Sequence, residues 1–129
     1  MSEKKKILVV DDEPDHCALV QRILEKAGFE VEVAYDGHEC LQKVRSVPPD
    51  AIVLDVVMPD IDGHSVCKAI KTDHLLCRIP ILILTAETTA LTATRFSKDH
   101  ANYANADDYL RKPASAEEIT RCLTALLNR

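Results

Sequence analysis

Near the start of the chain, the apolar run "ILVV" (Ile7–Val10) leads straight into three carboxylates, Asp11, Asp12 and Glu13. The pattern recurs: "AIVL" leads into Asp55, "ILIL" into Thr85, and "DYL" into Arg111, Lys112 and Pro113. Like charges at the end of a core strand repel, and a divalent cation makes such a cluster tolerable. Carboxylate oxygens without a dedicated His or Cys suit a hard ion such as Mg²⁺, which keeps several waters. Lys112 would add a fixed positive charge and Thr85 a hydroxyl. A carboxylate with these neighbours is equipped to accept a phosphoryl group. The metal, Lys112 and the Thr85 hydroxyl would each hold one equatorial oxygen while Asp55 attacks phosphorus as the nucleophile.

That chemistry requires a fold that gathers these positions on one rim. Five short segments read as strands: Ile7–Val10, Val31–Ala34, Ala51–Leu54, Ile81–Leu84 and Asp108–Leu110. "ILVV", "AIVL" and "ILIL" are continuously apolar, as central parallel strands covered on both faces require, whereas "VEVA" alternates and suits an edge. Five helix-like segments alternate with the strands. The first starts near Pro14 and stops at Gly28, with Val20, Ile23, Leu24 and Ala27 as its apolar stripe. The second carries Leu41 and Val44 and ends before Pro48-Pro49, and the third follows Gly63. The last opens with "SAEE", in which Ser115 and Glu118 have capping-box spacing; Ile119, Cys122, Leu123 and Leu126 form its stripe. Regular βα alternation predicts an α/β fold with a doubly wound parallel sheet. Such sheets place their sites outside the carboxyl ends of the strands, at the switch point of strand order.

Composition narrows the function classes. The 129 residues fit one domain, and 47% hydrophobic with 29% charged residues is a globular balance. No apolar run approaches the roughly 18–20 residues of a membrane span, and "MSEKKK" lacks the apolar stretch of a signal peptide. A net charge of −5, no Lys/Arg stripe and 4% aromatics argue against direct nucleic-acid binding. Five cysteines without framework spacing read as free thiols in a reducing compartment. His64–Cys67 and His74–Cys77 share H-x-x-C spacing, but Cys67 falls in a helical apolar pattern with Val66, Ala69 and Ile70, so no zinc site is expected. Only three glycines occur, with no phosphate loop among them, which disfavours a nucleotide-binding enzyme.

At the strand ends the chain resembles the receiver domain of two-component response regulators. The motifs are "ILVVDDEP", "DAIVLDVVMPDIDG" around Asp55, "PILILTA" at Thr85 and "ADDYLRKP" at Lys112, in order and nearly end to end. The resemblance implies a five-stranded, flavodoxin-like sheet of order 2-1-3-4-5 with helices on both faces. It implies that Asp55 is phosphorylated in a Mg²⁺-dependent reaction. Asp11 and Asp12 are then the acidic pair, Asp12 and Asp55 the direct Mg²⁺ ligands, and the Val57 carbonyl the third protein ligand. Thr85 matches the switch hydroxyl, Lys112 the phosphate-binding lysine, Tyr109 the aromatic that changes rotamer with Thr85, and Pro113 a position that follows a cis peptide.

The expected reading is a single cytoplasmic receiver domain over 1–129, with no output domain in this chain. It would take its phosphoryl group from a sensor histidine kinase or a histidine phosphotransfer protein, act on a downstream protein, and make no contact with membrane. Two alternatives belong to other classes. A metal-dependent phosphohydrolase would want a general acid two residues after Asp55, where apolar Val57 stands; a non-phosphorylated interaction module would not need the intact Asp12, Asp55, Thr85 and Lys112 set. Taken singly, Asp60 and Asp62 read as loop charges, Asp107 and Asp108 as exposed, and Glu13 as a charge behind the ligands or at the helix N-terminus rather than a ligand. The segment between Thr85 and Lys112 is longer than the resemblance implies. Thr88, Thr89, Thr92 and Thr94 and the lack of an apolar stripe make it a poor helix, so a remodelled fourth helix and a monomeric unphosphorylated protein are expected.

Overall fold

The continuously apolar runs become the middle of a parallel sheet because each can bury both faces. The computed structural model describes residues 4–55, 63–85, 107–111 and 115–128. Strands β1 (Lys6–Val10), β2 (Glu30–Ala34), β3 (Ala51–Asp55), β4 (Ile81–Thr85) and β5 (Asp108–Arg111) form one sheet of order β2-β1-β3-β4-β5, with every adjacent pair parallel. The expected order and the edge position of "VEVA" are both found. The helices among the described residues are α1 (Pro14–Lys26), α2 (Gly37–Ser46), α3 (Gly63–Lys71) and α4 (Ala116–Leu127). The expected helix between Thr85 and Lys112 lies outside the described residues, as do Val57, Asp60, Asp62, Lys112 and Pro113.

Alternate residues of each strand feed two core layers. Leu8, Val10, Ile52, Leu54, Ile81 and Ile83 pack with Cys40 and Val44 of α2 and Val66, Cys67 and Ile70 of α3. Ile7, Val9, Ala51, Val53, Leu82 and Leu84 pack with Cys17, Val20 and Leu24 of α1 and Ile119, Leu123 and Leu126 of α4. Fully burying one such side chain contributes about 1.5–3 kcal/mol, so a strand buried on both faces draws on two layers at once. The α1 stripe runs one turn earlier than expected: Cys17 is buried, Ile23 is half-buried and Ala27 is exposed. Ala27 is the C-cap, where the helix is already leaving the core, and Gly28 follows at φ 98°, a left-handed conformation that glycine adopts without strain.

Local signals set the helix starts. Pro14 occupies the first turn of α1. The Asp36 side chain accepts the Glu39 N–H at 2.8 Å to cap α2. The α4 capping box forms as expected: Glu118 N–H donates to Ser115 Oγ at 3.1 Å, and Ser115 N–H donates to Glu118 Oε1 at 2.9 Å.

The amino-end rim of the sheet carries a tight ionic clamp. Lys71 Nζ, at the end of α3, donates to Cys77 O at 3.1 Å and Ile79 O at 2.7 Å, and pairs with Asp107 Oδ2 at 2.7 Å. Asp107 Oδ2 also accepts the Ile81 N–H at 2.8 Å, while Asp107 N–H donates to Ile81 O at 3.0 Å. The clamp corrects the sequence expectation for Asp107: its side chain is only 13% exposed and locks β5 to β4, whereas Asp108 is exposed as expected. On the open edge, Lys43 Nζ of α2 reaches over β2 and donates to Val33 O at 2.6 Å, with Glu39 at 3.2 Å and Glu32 at 3.9 Å.

Candidate functional site

Strand register decides which residues share the carboxyl-end rim. Val10 of β1 pairs with Leu54 of β3, so Asp11 and Asp55 are the next residues on adjacent strands, whose spacing is about 4.8 Å. Asp55 pairs with Leu84, and Thr85 pairs with Arg111, the residue before Lys112. Tyr109 pairs with Ile83 further down the sheet. Of Asp55, Thr85 and Tyr109 the structure describes the backbone. The chain leaves β1 for β2 on one side and returns to β3 on the other, so β1 and β3 flank the switch point at which such sheets hold their sites.

Asp11, Asp12 and Glu13 form the acidic group at this point. One carboxylate oxygen from each lies within 4.8 Å of the others. Asp11 is buried, at 1% exposure, while Asp12 and Glu13 are exposed. The group sits directly at the start of α1, whose positive dipole end favours negative charge. An all-oxygen set at this spacing fits a hard divalent cation. Sequence reasoning treated Glu13 as a helix-end charge; it is indeed the α1 N-cap, and its carboxylate also stands with the acidic pair.

Asp11 is held on every side. Its Oδ1 accepts the Glu13 N–H at 3.0 Å, and its Oδ2 bonds His16 Nδ1. Its backbone N–H donates to Ala34 O at 3.1 Å, and its carbonyl accepts the Cys17 thiol at 3.3 Å. Sequence reasoning missed His16. The available signal was a polar ring one helical turn past the acidic run, at a place where α1 curls back over the rim.

The cysteines fit no metal-ligand role among the described residues. Burial pushes the Cys40 thiol up to about 12, with Asp36 and Glu39 adding to the rise. Burial does the same for Cys67, also to about 12; Lys71 opposes the rise and Asp107 adds to it. Cys67 lies in the core beside Val66 and Ile70, as its helical pattern suggested.

A family model described as the response regulator receiver domain matches residues 7–124. The chain is 43% identical over 125 residues to the alkaline phosphatase synthesis transcriptional regulatory protein PhoP of Bacillus subtilis, covering 97% of this chain and 49% of that protein. It is 42% identical over 127 residues to the response regulator MprA of Mycobacterium ulcerans, covering 96% and 50%. The chain thus spans about half the length of these curated relatives. Among solved structures, the chemotaxis response regulator CheY4 of Vibrio cholerae superposes with a TM-score of 0.84 at 33% identity, covering 96% of this chain and 99% of that one. The Francisella response regulator 1452 receiver domain gives 0.83 at 31%, covering 98% of each. The parallel sheet of order 2-1-3-4-5, the acidic group at its switch point and these likenesses agree, and the chain belongs to the response regulator receiver domain family.

Proposed function

We propose that this receiver domain is switched by phosphorylation of Asp55, with a phosphohistidine on a sensor histidine kinase or a phosphotransfer protein as donor. Receiver domains are signalling domains rather than classical enzymes, and the product here is a changed surface. The observation that carries the reading is the register: Asp55 ends β3 directly beside Asp11 at the end of β1, next to the acidic group Asp11–Asp12–Glu13. In the transfer, an Asp55 carboxylate oxygen forms a bond to phosphorus as the phosphorus–nitrogen bond to the donor imidazole breaks, and the electron pair leaves with that nitrogen. Mg²⁺, held by Asp12, Asp55 and the Val57 carbonyl with Asp11 nearby, would supply the positive charge that lets an anionic phosphoryl group approach a carboxylate.

Lys112 and the Thr85 hydroxyl take the remaining phosphoryl oxygens in this reading. Their strand positions support it, since Thr85 pairs with Arg111 and Lys112 follows. The bound phosphoryl group adds about −1.5 to −2 charge at neutral pH, drawing Thr85 inward and letting Tyr109 follow. Val57, two residues after Asp55, has no side-chain atom to hold an attacking water, which favours a persistent phosphoryl group. No helix among the described residues is long and apolar enough to cross a membrane; separately, a phosphohistidine donor of this kind carries with it a proposed cytoplasmic location.

The test is labelling with a small acyl phosphate and Mg²⁺. One alkali-labile phosphoryl group per chain is expected on the wild type and none on Asp55→Asn. Equal labelling of the variant would refute the assignment. Val57→Asn should shorten the phosphoryl lifetime; an unchanged or longer lifetime would remove Val57 from the account.

A further inference from the structure

We propose that His16 is a positioning residue of the acidic site: it holds Asp11 Oδ2 and so keeps Asp11 from binding the cation directly, leaving that place to Asp12 and Asp55. The proposal rests on the Mg²⁺ reading above. Its basis is the asymmetry of the acidic group. Asp12 and Glu13 are exposed, but Asp11 is buried, with Glu13 N–H on one carboxylate oxygen and His16 Nδ1 on the other. Two further bonds fix its backbone, from its own N–H to Ala34 O and from the Cys17 thiol to its carbonyl. The carboxylate can neither slide nor turn without breaking one of these contacts. To bind a cation directly, Asp11 Oδ2 would have to share its lone pairs between the ion and His16, which makes it the weaker ligand of the group.

His16 is well placed for this task. It lies in the first turn of α1, with its side chain 25% exposed, so the ring covers the carboxylate from the solvent side. The argument does not depend on the ring's charge. A neutral imidazole donating its Nδ1–H and an imidazolium both draw electron density from the carboxylate, and both weaken it as a ligand for a cation. Outer partners of this kind orient carboxylates at metal sites and usually support ligation, whereas here the partner holds a carboxylate back.

Removing the donor should release Asp11 toward the ion. In His16→Leu, calorimetric titration should show Mg²⁺ binding tighter than in wild type, by about 3–10-fold, because the Asp11 carboxylate no longer shares its charge with a donor. The phosphorylation rate at saturating Mg²⁺ should fall at least about 3-fold, because Asp11 would then occupy a place that a phosphoryl oxygen needs. His16→Asn restores an N–H donor near the position of Nδ1 and should return both values to within about 2-fold of wild type. A merely structural role would weaken binding and rate together, without rescue by Asn. Unchanged or weaker Mg²⁺ binding in His16→Leu, or Asn behaving like Leu, overturns the proposal. The wild type supplies a second measurement that needs no variant. The hydrogen-bonded Nδ1 proton of His16 should persist in NMR spectra at saturating Mg²⁺, and its loss on metal binding would overturn the proposal equally. If the wild type takes up no Mg²⁺, the metal reading itself falls and this proposal with it; binding to wild type with no change in His16→Leu removes the proposal alone.

Discussion

At the amino-end rim of the sheet, Lys71 directs all its donors to partners within the chain: two carbonyls and the Asp107 carboxylate. At the carboxyl-end rim, Asp12 and Glu13 stand exposed beside buried Asp11, and Asp55 is added by register. Both rims close the same parallel sheet with loops, so topology does not account for the contrast. One rim balances its charge internally and serves stability. The other gathers like charge beside a helix N-terminus, a repulsion that the proposed cation would remove. In the proposed reading, the end that holds this domain together is separate from the end that responds.

Substitutions at the two rims should fail in opposite ways. The largest effect is expected at Asp12. Replacing this exposed, proposed ligand by Asn should weaken Mg²⁺ binding by at least about 100-fold, beyond the cost of losing an outer partner, and phosphorylation should fall with it. The circular dichroism spectrum should stay that of wild type. Undiminished Mg²⁺ affinity would break the comparison at its functional end.

Lys71→Met is the counterpart. It leaves the nearly buried Asp107 carboxylate without its cation and two carbonyls without a donor. Urea denaturation should show a loss of about 2–3 kcal/mol, below the full figure for a buried pair because both side chains retain some exposure. The Mg²⁺ dissociation constant should stay within about 2-fold of wild type, as expected for sites at opposite ends of a rigid sheet. A large change in metal affinity would show that the two ends are coupled.

The core between the rims offers a pH test. Cys40 and Cys67 have thiols raised from 9.0 to about 12, chiefly by burial. A raised acid keeps its proton in the folded state while the unfolded chain loses it. Stability is therefore complete below about pH 9 and declines as pH rises from there toward 12. Urea midpoints measured between pH 8 and 11 should fall less steeply in Cys40→Val than in wild type; parallel slopes would exclude this contribution.

The smallest effect sharpens the contrast within one variant. Without Mg²⁺, Asp12→Asn removes a like charge from the acidic group and should raise Tm by about 1–3 °C. Added Mg²⁺ should raise Tm of the wild type and leave the variant unmoved. A lower Tm for metal-free Asp12→Asn would mean that its charge is balanced within the chain after all.

Most of the frame was legible because it depends on local rules. The apolar runs marked the strands, Gly28 the end of α1, and Ser115 with Glu118 the start of α4. The acidic pair Asp11 and Asp12 was legible from its place at a strand end, whereas the approach of Glu13 to it was not, since adjacent side chains need not point the same way. What escaped depends on tertiary approach. Asp107 read as exposed because its partner, Lys71, belongs to a different βα unit. His16 is the exception: it lies only five residues from Asp11, and it went unread because a histidine in the first turn of a helix carries no motif of its own. Ala27 was expected inside because periodicity alone does not say where a helix stops following the core.

Lys43 has a consequence for how the molecule keeps to itself. Strand β2 lies at an edge of the sheet, and an open edge offers its outward carbonyls and amides to any extended chain. Here the Val33 carbonyl is already taken by an ammonium from α2, flanked by Glu32 and Glu39. A strand arriving at that edge would have to displace the lysine from its carbonyl, leaving it to Glu39 and Glu32 alone. The alternating Glu30 and Glu32 of β2 add negative charge along the same approach. The occupied Val33 carbonyl and the flanking charges thus work against sheet extension at the β2 edge.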